Sequence, residues 1–405
     1  MSVKTKVRTN IAVSLFLLAL AASPLFVPGQ GQTPKSLGFK KQISIEIKNP
    51  SAIALENEPV ILKVDEIRAV APDFNSYNYA VFEQVGQDYR LVVSQADDLN
   101  KDRNHDEIVL IRTLPPSSTT KLDCYYSPAG SLQLMTAAKT AVRVFGASGN
   151  APVGWESNLA GFRFLDGRIE VYGKLYAGLA LRKIMSDDMA PQEWGMRLHE
   201  ARETAGLGGL SLWKGQTRLP FMGAGGASGL EIQRTVLAQG PLRALVKVEY
   251  TVARADNNEV GATMFLSSYA DNPYSRHDII LHAKSGPGGP IALGAGLEKL
   301  GAESFALDKG KGYAASWGRG VERAGEIGLA LIFNPSEFAG SEEGALERWI
   351  KLNARAGQKQ TYWILGGWEK GIVAAASPGA TNWPLKVAEL SARVRVPVEI
   401  RFKRS

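Results

Sequence analysis

Arg163, Arg168, Glu170, Tyr172 and Lys174 lie at alternating positions along residues 155–174, on either side of the dipeptide Asp166-Gly167. Two or three cations, a carboxylate and a phenol gathered on one surface can hold an acidic sugar, because guanidinium and ammonium groups form charge-assisted hydrogen bonds to a carboxylate. A merely solvated face is the alternative, since antiparallel sheets commonly expose one polar side. A second chemistry-bearing stretch is Asp98, Asn100, Asp102, Asn104 and Asp106, with an oxygen side chain at every second residue. Calcium takes about six to eight oxygen ligands, so a structural calcium is one reading of this loop and a solvated hairpin turn is the other. It departs from the EF-hand pattern, with Arg103 at the sharp-turn glycine and Val109 at the bidentate glutamate.

The element that must position the first set is a hairpin. Asp-Gly between two β-prone runs is a strong two-residue turn signal, because such turns need positive φ. Closing it pairs Leu165 with Arg168, Phe164 with Ile169, Arg163 with Glu170, Phe162 with Val171 and Gly161 with Tyr172. Strand alternation then sends Phe162, Phe164, Ile169 and Val171 to a core and the charged set to the opposite face.

The remaining chain reads as β. Alternating or apolar runs recur between Gly, Pro, Asn and Asp clusters, beginning with Ile43, Ile45 and Ile47, and 42 of the 405 residues are glycine. These features predict an all-β fold with few helices: an antiparallel β-sandwich or supersandwich over 127–405 behind a smaller N-terminal β-sandwich over 38–126. Helices are expected at 344–355, where Leu346, Trp349, Ile350 and Asn353 share a side, and at 383–394.

Composition narrows the function classes. Hydrophobic residues make up 45% and charged residues 21%, the balance of an ordinary folded protein. Lys4, Lys6 and Arg8 followed by a short apolar run read as a secretory signal over 1–28. That predicts a secreted or periplasmic protein with no membrane association once the signal is removed. The formal charge of +7 falls to +4 without those three cations. No dense basic tract with interleaved aromatics appears, so nucleic acid is not an expected partner. Cys124 is the only cysteine, which excludes an intrachain disulfide and reads as a core filler.

Nucleotide loops and a Gly-x-Ser-x-Gly elbow are absent. His199-Glu200 starts a zinc-protease-like motif but lacks its second histidine. His277 and His282 should point to opposite sides of one strand, leaving either as a lone general acid or base, or as a bonded strand residue. Among eight tryptophans, Trp317 and Trp368 stand beside glycines and read as loop-edge residues able to stack on sugar.

The ordered set Asp97 to Glu107, Trp155-Glu-Ser, Ala160-Gly-Phe-Arg-Phe, Val171-Tyr-Gly-Lys, Glu193-Trp-Gly-Met, Gly206 to Gly209, Ala315-Ser-Trp-Gly and Gly366-Gly-Trp-Glu resembles a family of secreted bacterial proteins known as domain of unknown function 4861. The second part of the chain is also similar in style to the galactose-mutarotase-like β-supersandwich. The resemblance implies a role in using uronic-acid glycans of the pectin type, with an acidic polysaccharide or oligosaccharide as partner and no required cofactor. β-Elimination or hydrolysis at a uronic acid would follow. Arg163 and Lys174 would stabilise the enolate-like charge, and Tyr172, its pKa lowered by those cations, or His277 would take the proton. Glu156 would be the acid for hydrolysis. Trp155, Glu170, Trp194, His199, Trp317 and Trp368 would contact substrate. A non-catalytic glycan binder and a mutarotase-like epimerase are the rival readings.

Overall fold

The computed structural model describes residues 25–26 and 33–404, apart from 148–150, 185–187, 216, 222–230, 256–257, 284–290 and 375–377. Of the signal segment expected at 1–28, only Leu25–Phe26 falls among them, paired in parallel with Gln133–Leu134. The rest lies outside the described residues.

The larger body is a three-sheet supersandwich. Its base is an eight-stranded antiparallel sheet, in spatial order Glu231–Gln239, Arg243–Ala255, Asn258–Tyr269, Tyr274–Ala283, Lys359–Trp368, Glu326–Phe333, Tyr313–Arg319 and Gly301–Asp308. Two five-stranded sheets lie side by side on its inner face. One runs Thr140–Val144, Val153–Ser157, Gly161–Leu165, Arg168–Lys174 and Gly195–Arg197. The other runs Thr217–Pro220, Leu207–Lys214, Ile291–Glu298, Glu347–Ala354 and Phe338–Glu343. One apolar core joins all three, with Phe162, Val171, Leu210, Leu293, Met264, Leu266 and Leu329 buried in it. This is the all-β, antiparallel architecture that the alternation of apolar residues implies.

A smaller sandwich precedes it in the chain. Ile43, Ile45 and Ile47 alternate inward from Lys41–Asn49 and meet Val60 and Leu62 of Leu55–Lys63 and Ile108 and Leu110 of Glu107–Leu114. Its five-stranded sheet is completed by Glu399–Arg404, which pairs with Lys41–Asn49. The second sheet of this sandwich turns Ile61, Val109 and Ile111 against the outer face of the eight-stranded sheet. The helix Asn382–Val394 covers another part of that outer face, seating Trp383, Val387 and Leu390 there. Among the described residues, no helix is long and apolar enough to cross a membrane.

The helix expected at 344–355 is instead the strand Glu347–Ala354, paired on both sides. Trp349 packs with Trp213 on one face while Ile350 and Leu352 enter the core on the other. A strand buried on both faces loses the period-two signature, and its apolar spacing imitates a helix. The helix expected at 383–394 is present, and a short helix at Val64–Val70 follows the strand that ends at Lys63.

Candidate functional site

The tight turn forms as its residues require. Asp166 has φ 47° and Gly167 φ 87°, and all five expected pairs, from Leu165–Arg168 to Gly161–Tyr172, are in register. Phe162, Phe164, Ile169 and Val171 are fully buried.

The opposite face is mostly covered too, with Glu170, Tyr172 and Lys174 buried and Arg163 and Arg168 half-buried, which overturns the expectation of an open polar surface. Described parts of the segment between Lys174 and Gly195 cover it, among them the short turn Leu181–Lys183, Asp188 and Trp194. Tyr172 donates to Asp188 Oδ2 at 2.8 Å and packs edge-on against Trp194. Arg163 donates from Nε and Nη2 to Glu170 Oε2 at 2.8 and 2.5 Å, and from Nη1 to Asp188 Oδ2 at 3.1 Å. Arg197 closes the ring through Glu170 at 2.7 Å and Asp188 at 3.1 Å. Two guanidiniums and two carboxylates thus balance, with Tyr172 hydrogen-bonded at the edge.

Lys174 belongs to a second buried knot. Its Nζ donates to Glu156 Oε2 at 2.5 Å, to the Ser157 carbonyl at 2.6 Å and to the Gly178 carbonyl at 2.7 Å. The other acceptor sites of Glu156 receive the amides of Ala180 and Leu181. Glu156, which has no exposed surface, therefore anchors the covering segment rather than facing solvent as an acid.

The electrostatics match this placement. Burial drives the Tyr172 phenol well above its ordinary value, with Arg163 opposing and Asp188 reinforcing, so the expected lowering does not occur. Burial likewise lowers the Lys174 ammonium, against the pull of Glu156. His277 is fully buried between the rings of Trp155 and Tyr362, with neither ring nitrogen bonded to a described residue. Burial pushes it down to about 3, so near neutral pH it is an uncharged core residue. His282 lies on the opposite, exposed side and meets Thr263 Oγ1 at 2.8 Å.

The expected substrate contacts are buried as well. Trp155 stacks on Phe162 and donates to Ser275 Oγ. Trp194 donates to Gln192, and Glu170 is held by Arg163 and Arg197. His199 Nδ1 meets Glu298 Oε2 at 3.1 Å in the interior. Trp317 and Trp368 sit inside strands: Trp317 donates to Glu326 beside the Trp383 ring, and Trp368 lies over Gly173 and donates to the Ala324 carbonyl. Their neighbouring glycines allow close packing, Gly367 under the Trp383 ring, Gly366 against Val171 and Gly318 against Gly301 and Glu303, which is why they resemble loop residues in the sequence.

The oxygen-rich loop binds itself. Asp98 Oδ2 accepts from the Arg103 amide, Asp102 Oδ1 from the Asn104 amide and Asp106 Oδ2 from the Leu99 amide. Asn100 donates to Asp102 and Asp106. Among the described residues no group of three or more His, Cys, Asp or Glu is arranged to hold a metal. These bonds hold the loop closed on its own backbone, while Asp98 Oδ1 is buried without a partner among the described residues.

An open cleft of about 400 Å³ lies at the seam between the small sandwich and the supersandwich. Its walls carry Asn57, Glu83, Arg90, Arg112, Lys139 and Asp271. Arg112 pairs with Glu83 at 2.8 Å, and Lys139 pairs with Asp271 at 2.7 Å. The Arg90 side chain, exposed on the strand Asp88–Val92, makes no ion pair or hydrogen bond to a described residue. Asn57 and Asp271 both adopt left-handed backbone, with φ 51° and 59°, and Asn57 Nδ2 donates to the Asp271 carbonyl. Asn158 clasps Asp271 from the hairpin sheet, donating to its carboxylate and accepting from its amide. Left-handed non-glycine residues persist where the surroundings over-determine them. The segments Leu55-Glu-Asn-Glu-Pro59 and Ala270-Asp-Asn-Pro273 carry the turn signals for both positions. Nothing in the sequence brings Arg90, Arg112 and Lys139 together.

Comparison with solved structures shows a shared fold at low identity. A glycosyl hydrolase family 38 protein from Enterococcus faecalis aligns with 9% identity and TM-score 0.52, over 91% of this chain and 48% of that one. An alpha-mannosidase from Enterococcus faecalis V583 aligns with 9% identity and TM-score 0.47, over 91% of this chain and 46% of that one. A putative kojibiose phosphorylase from human microbiome aligns with 9% identity and TM-score 0.36, over 64% and 37%. The chain spans about half the length of the first two. No curated protein matches the sequence. The first of these shares the β-rich antiparallel fold expected from the sequence. The profile of a domain of unknown function, DUF4861, matches residues 47–400, and the chain belongs to that family.

Proposed function

We propose that this protein is a carbohydrate-binding protein that takes an acidic, uronic-acid-containing oligosaccharide into the seam cleft. The observation that carries this reading is the charge balance of the walls. Glu83 offsets Arg112 and Asp271 offsets Lys139, which leaves Arg90 without an ionic partner among the described residues. One surplus cation among amide and hydroxyl groups suits a ligand with one carboxylate on a body of hydroxyls. The volume of about 400 Å³ lies in the range of small-molecule sites, roughly 300–1,000 Å³. The fold shared with the glycosyl hydrolase family 38 chain supports the carbohydrate class as analogy. The basic and apolar N-terminal segment supports action outside the cytoplasm.

Elimination or hydrolysis through Tyr172, Arg163, Lys174, Glu156 and His277 would require those groups to reach a sugar; Tyr172, Lys174, Glu156 and His277 are instead buried, and Arg163 is half-buried and held by Glu170 and Asp188. Binding without turnover at the hairpin is the reading their burial favours. Calorimetric titration with trigalacturonate and with a neutral trisaccharide tests it. The acidic ligand should bind and the neutral one should not, and Arg90→Ala should weaken the acidic ligand by about tenfold, equivalent to about 1.4 kcal/mol. Unchanged affinity in Arg90→Ala, or release of unsaturated or reducing-end product by the wild type, would overturn the proposal.

A further inference from the structure

The two ion pairs on the cleft walls are built differently. Asp271 stands in the turn Ala270-Asp-Asn-Pro273, and its place does not depend on Lys139. Asn158 donates from Nδ2 to Asp271 Oδ1 at 2.9 Å and accepts the Asp271 amide at 2.8 Å. Asn57 Nδ2 donates to the Asp271 carbonyl, and the buried Asn272 donates to the carbonyls of Asn57 and Ala270. These bonds hold Asp271 at φ 59° and fix the direction of its carboxylate. The Glu83 carboxylate, by contrast, is bonded to Arg112 alone among the described residues.

Lys139 meets the other oxygen of the fixed carboxylate, Oδ2, at 2.7 Å. Its backbone is tied down as well, with the amide donating to the Pro241 carbonyl at 3.0 Å. An ammonium carries three donors, and the other two of Lys139 meet no described residue. Both side chains line the cleft and stay partly open, Lys139 at 50% exposure and Asp271 at 32%.

An acceptor and a donor held at hydrogen-bond distance from each other match two adjacent hydroxyls of a sugar ring, whose oxygens stand at a similar separation when gauche. One hydroxyl donates to Asp271 Oδ2 while its neighbour accepts from Lys139 Nζ, and both bonds are charge-assisted. The pair has no net charge, so it does not draw in a carboxylate. A second anion would gain from Lys139 and be repelled by Asp271. Arg90 and the pair therefore suit different parts of one ligand.

We propose that Lys139 and Asp271 are specificity-determining residues of the seam cleft, reading a vicinal diol on the oligosaccharide whose carboxylate meets Arg90. This inference rests on the acidic-oligosaccharide reading of the cleft and names the second feature the ligand must carry.

Calorimetric titration with trigalacturonate and with its O-methylated form, which keeps free carboxylates and caps every hydroxyl, tests it. Wild type should bind the free-hydroxyl ligand at least about tenfold more tightly, through two charge-assisted hydrogen bonds. Arg90→Ala should weaken both ligands alike and keep that ratio, because the carboxylates are common to them. Lys139→Met and Asp271→Asn should each lower the ratio by about threefold or more, and the double variant should bring it to about one. Asparagine tolerates the left-handed backbone at this position, and circular dichroism confirms that the variants fold. Equal affinity of wild type for the two ligands would overturn the diol assignment. So would a ratio that survives the double variant, which would mean that the cleft excludes methyl groups by size. In either case a loss in Arg90→Ala leaves the acidic reading standing. A ratio that depends on the pair in a protein indifferent to Arg90→Ala would do the reverse, and no binding of trigalacturonate at all would overturn both.

Discussion

Replacing Lys174 with methionine separates a structural from a catalytic role for the hairpin. The substitution nearly conserves the stem's volume and removes only the ammonium, which makes three hydrogen bonds of 2.5 to 2.7 Å inside the protein. It leaves the Glu156 carboxylate with only the Ala180 and Leu181 amides to balance a buried charge. Breaking a buried pair by removing one partner costs about 3–5 kcal/mol, a large part of the roughly 5–15 kcal/mol that holds a typical domain together. Urea unfolding of Lys174→Met should therefore show a midpoint lower by about 1 M or more, at an unchanged slope. Lys174→Met/Glu156→Gln should be less destabilised than the two single changes added together, because it removes the stranded charge. A loss below about 1 kcal/mol, or strict additivity in the double variant, would refute the reasoning. A lysine whose task was to meet a substrate would lose function while the midpoint stayed in place.

Two further perturbations probe the core. Because the folded chain resists protonating His277 until about pH 3 while the unfolded chain binds that proton near 6.5, stability contributed by the neutral imidazole is present above 6.5 and drains as the pH falls. The difference amounts to about 2 kcal/mol by pH 5, and His277→Leu should remove that share of the slope between melts at pH 7 and pH 5. Gly367→Ala would place a Cβ about 2.5 Å from the Trp383 ring, which packs against this glycine. The expected cost is about 1–3 kcal/mol with a changed near-ultraviolet tryptophan signal, and an unaltered melt and spectrum would contradict the packing.

The hairpin was legible because its information is local. Asp166-Gly167 sets the turn, and the turn sets every pair from Leu165–Arg168 to Gly161–Tyr172. Alternation also told which side chains share a face, as with His277 and His282 on opposite sides of one strand. It could not tell whether a third layer covers a polar face. Asp188 and the amides of Ala180 and Leu181, which turn the charged set from a surface into an interior, come from an irregular segment with no periodicity to announce it. Trp349 and Ile350 misled for a related reason, since their strand is buried from both sides. The seam cleft was illegible because Arg90, Arg112, Lys139 and Asp271 meet only when two sandwiches dock, although Asn57 and Asp271 sit in recognisable turn sequences.

The strand Glu399–Arg404 sets an order of events during synthesis. Ile43, Ile45 and Ile47 stand opposite Arg404, Phe402 and Ile400, so one margin of the first sheet stays uncovered until residues from the far end of the chain leave the ribosome. The small sandwich is begun first and finished last, after the supersandwich threaded between its strands has been made. Until that moment Lys41–Asn49 presents an open edge, a vulnerability that lasts as long as translation of the intervening residues.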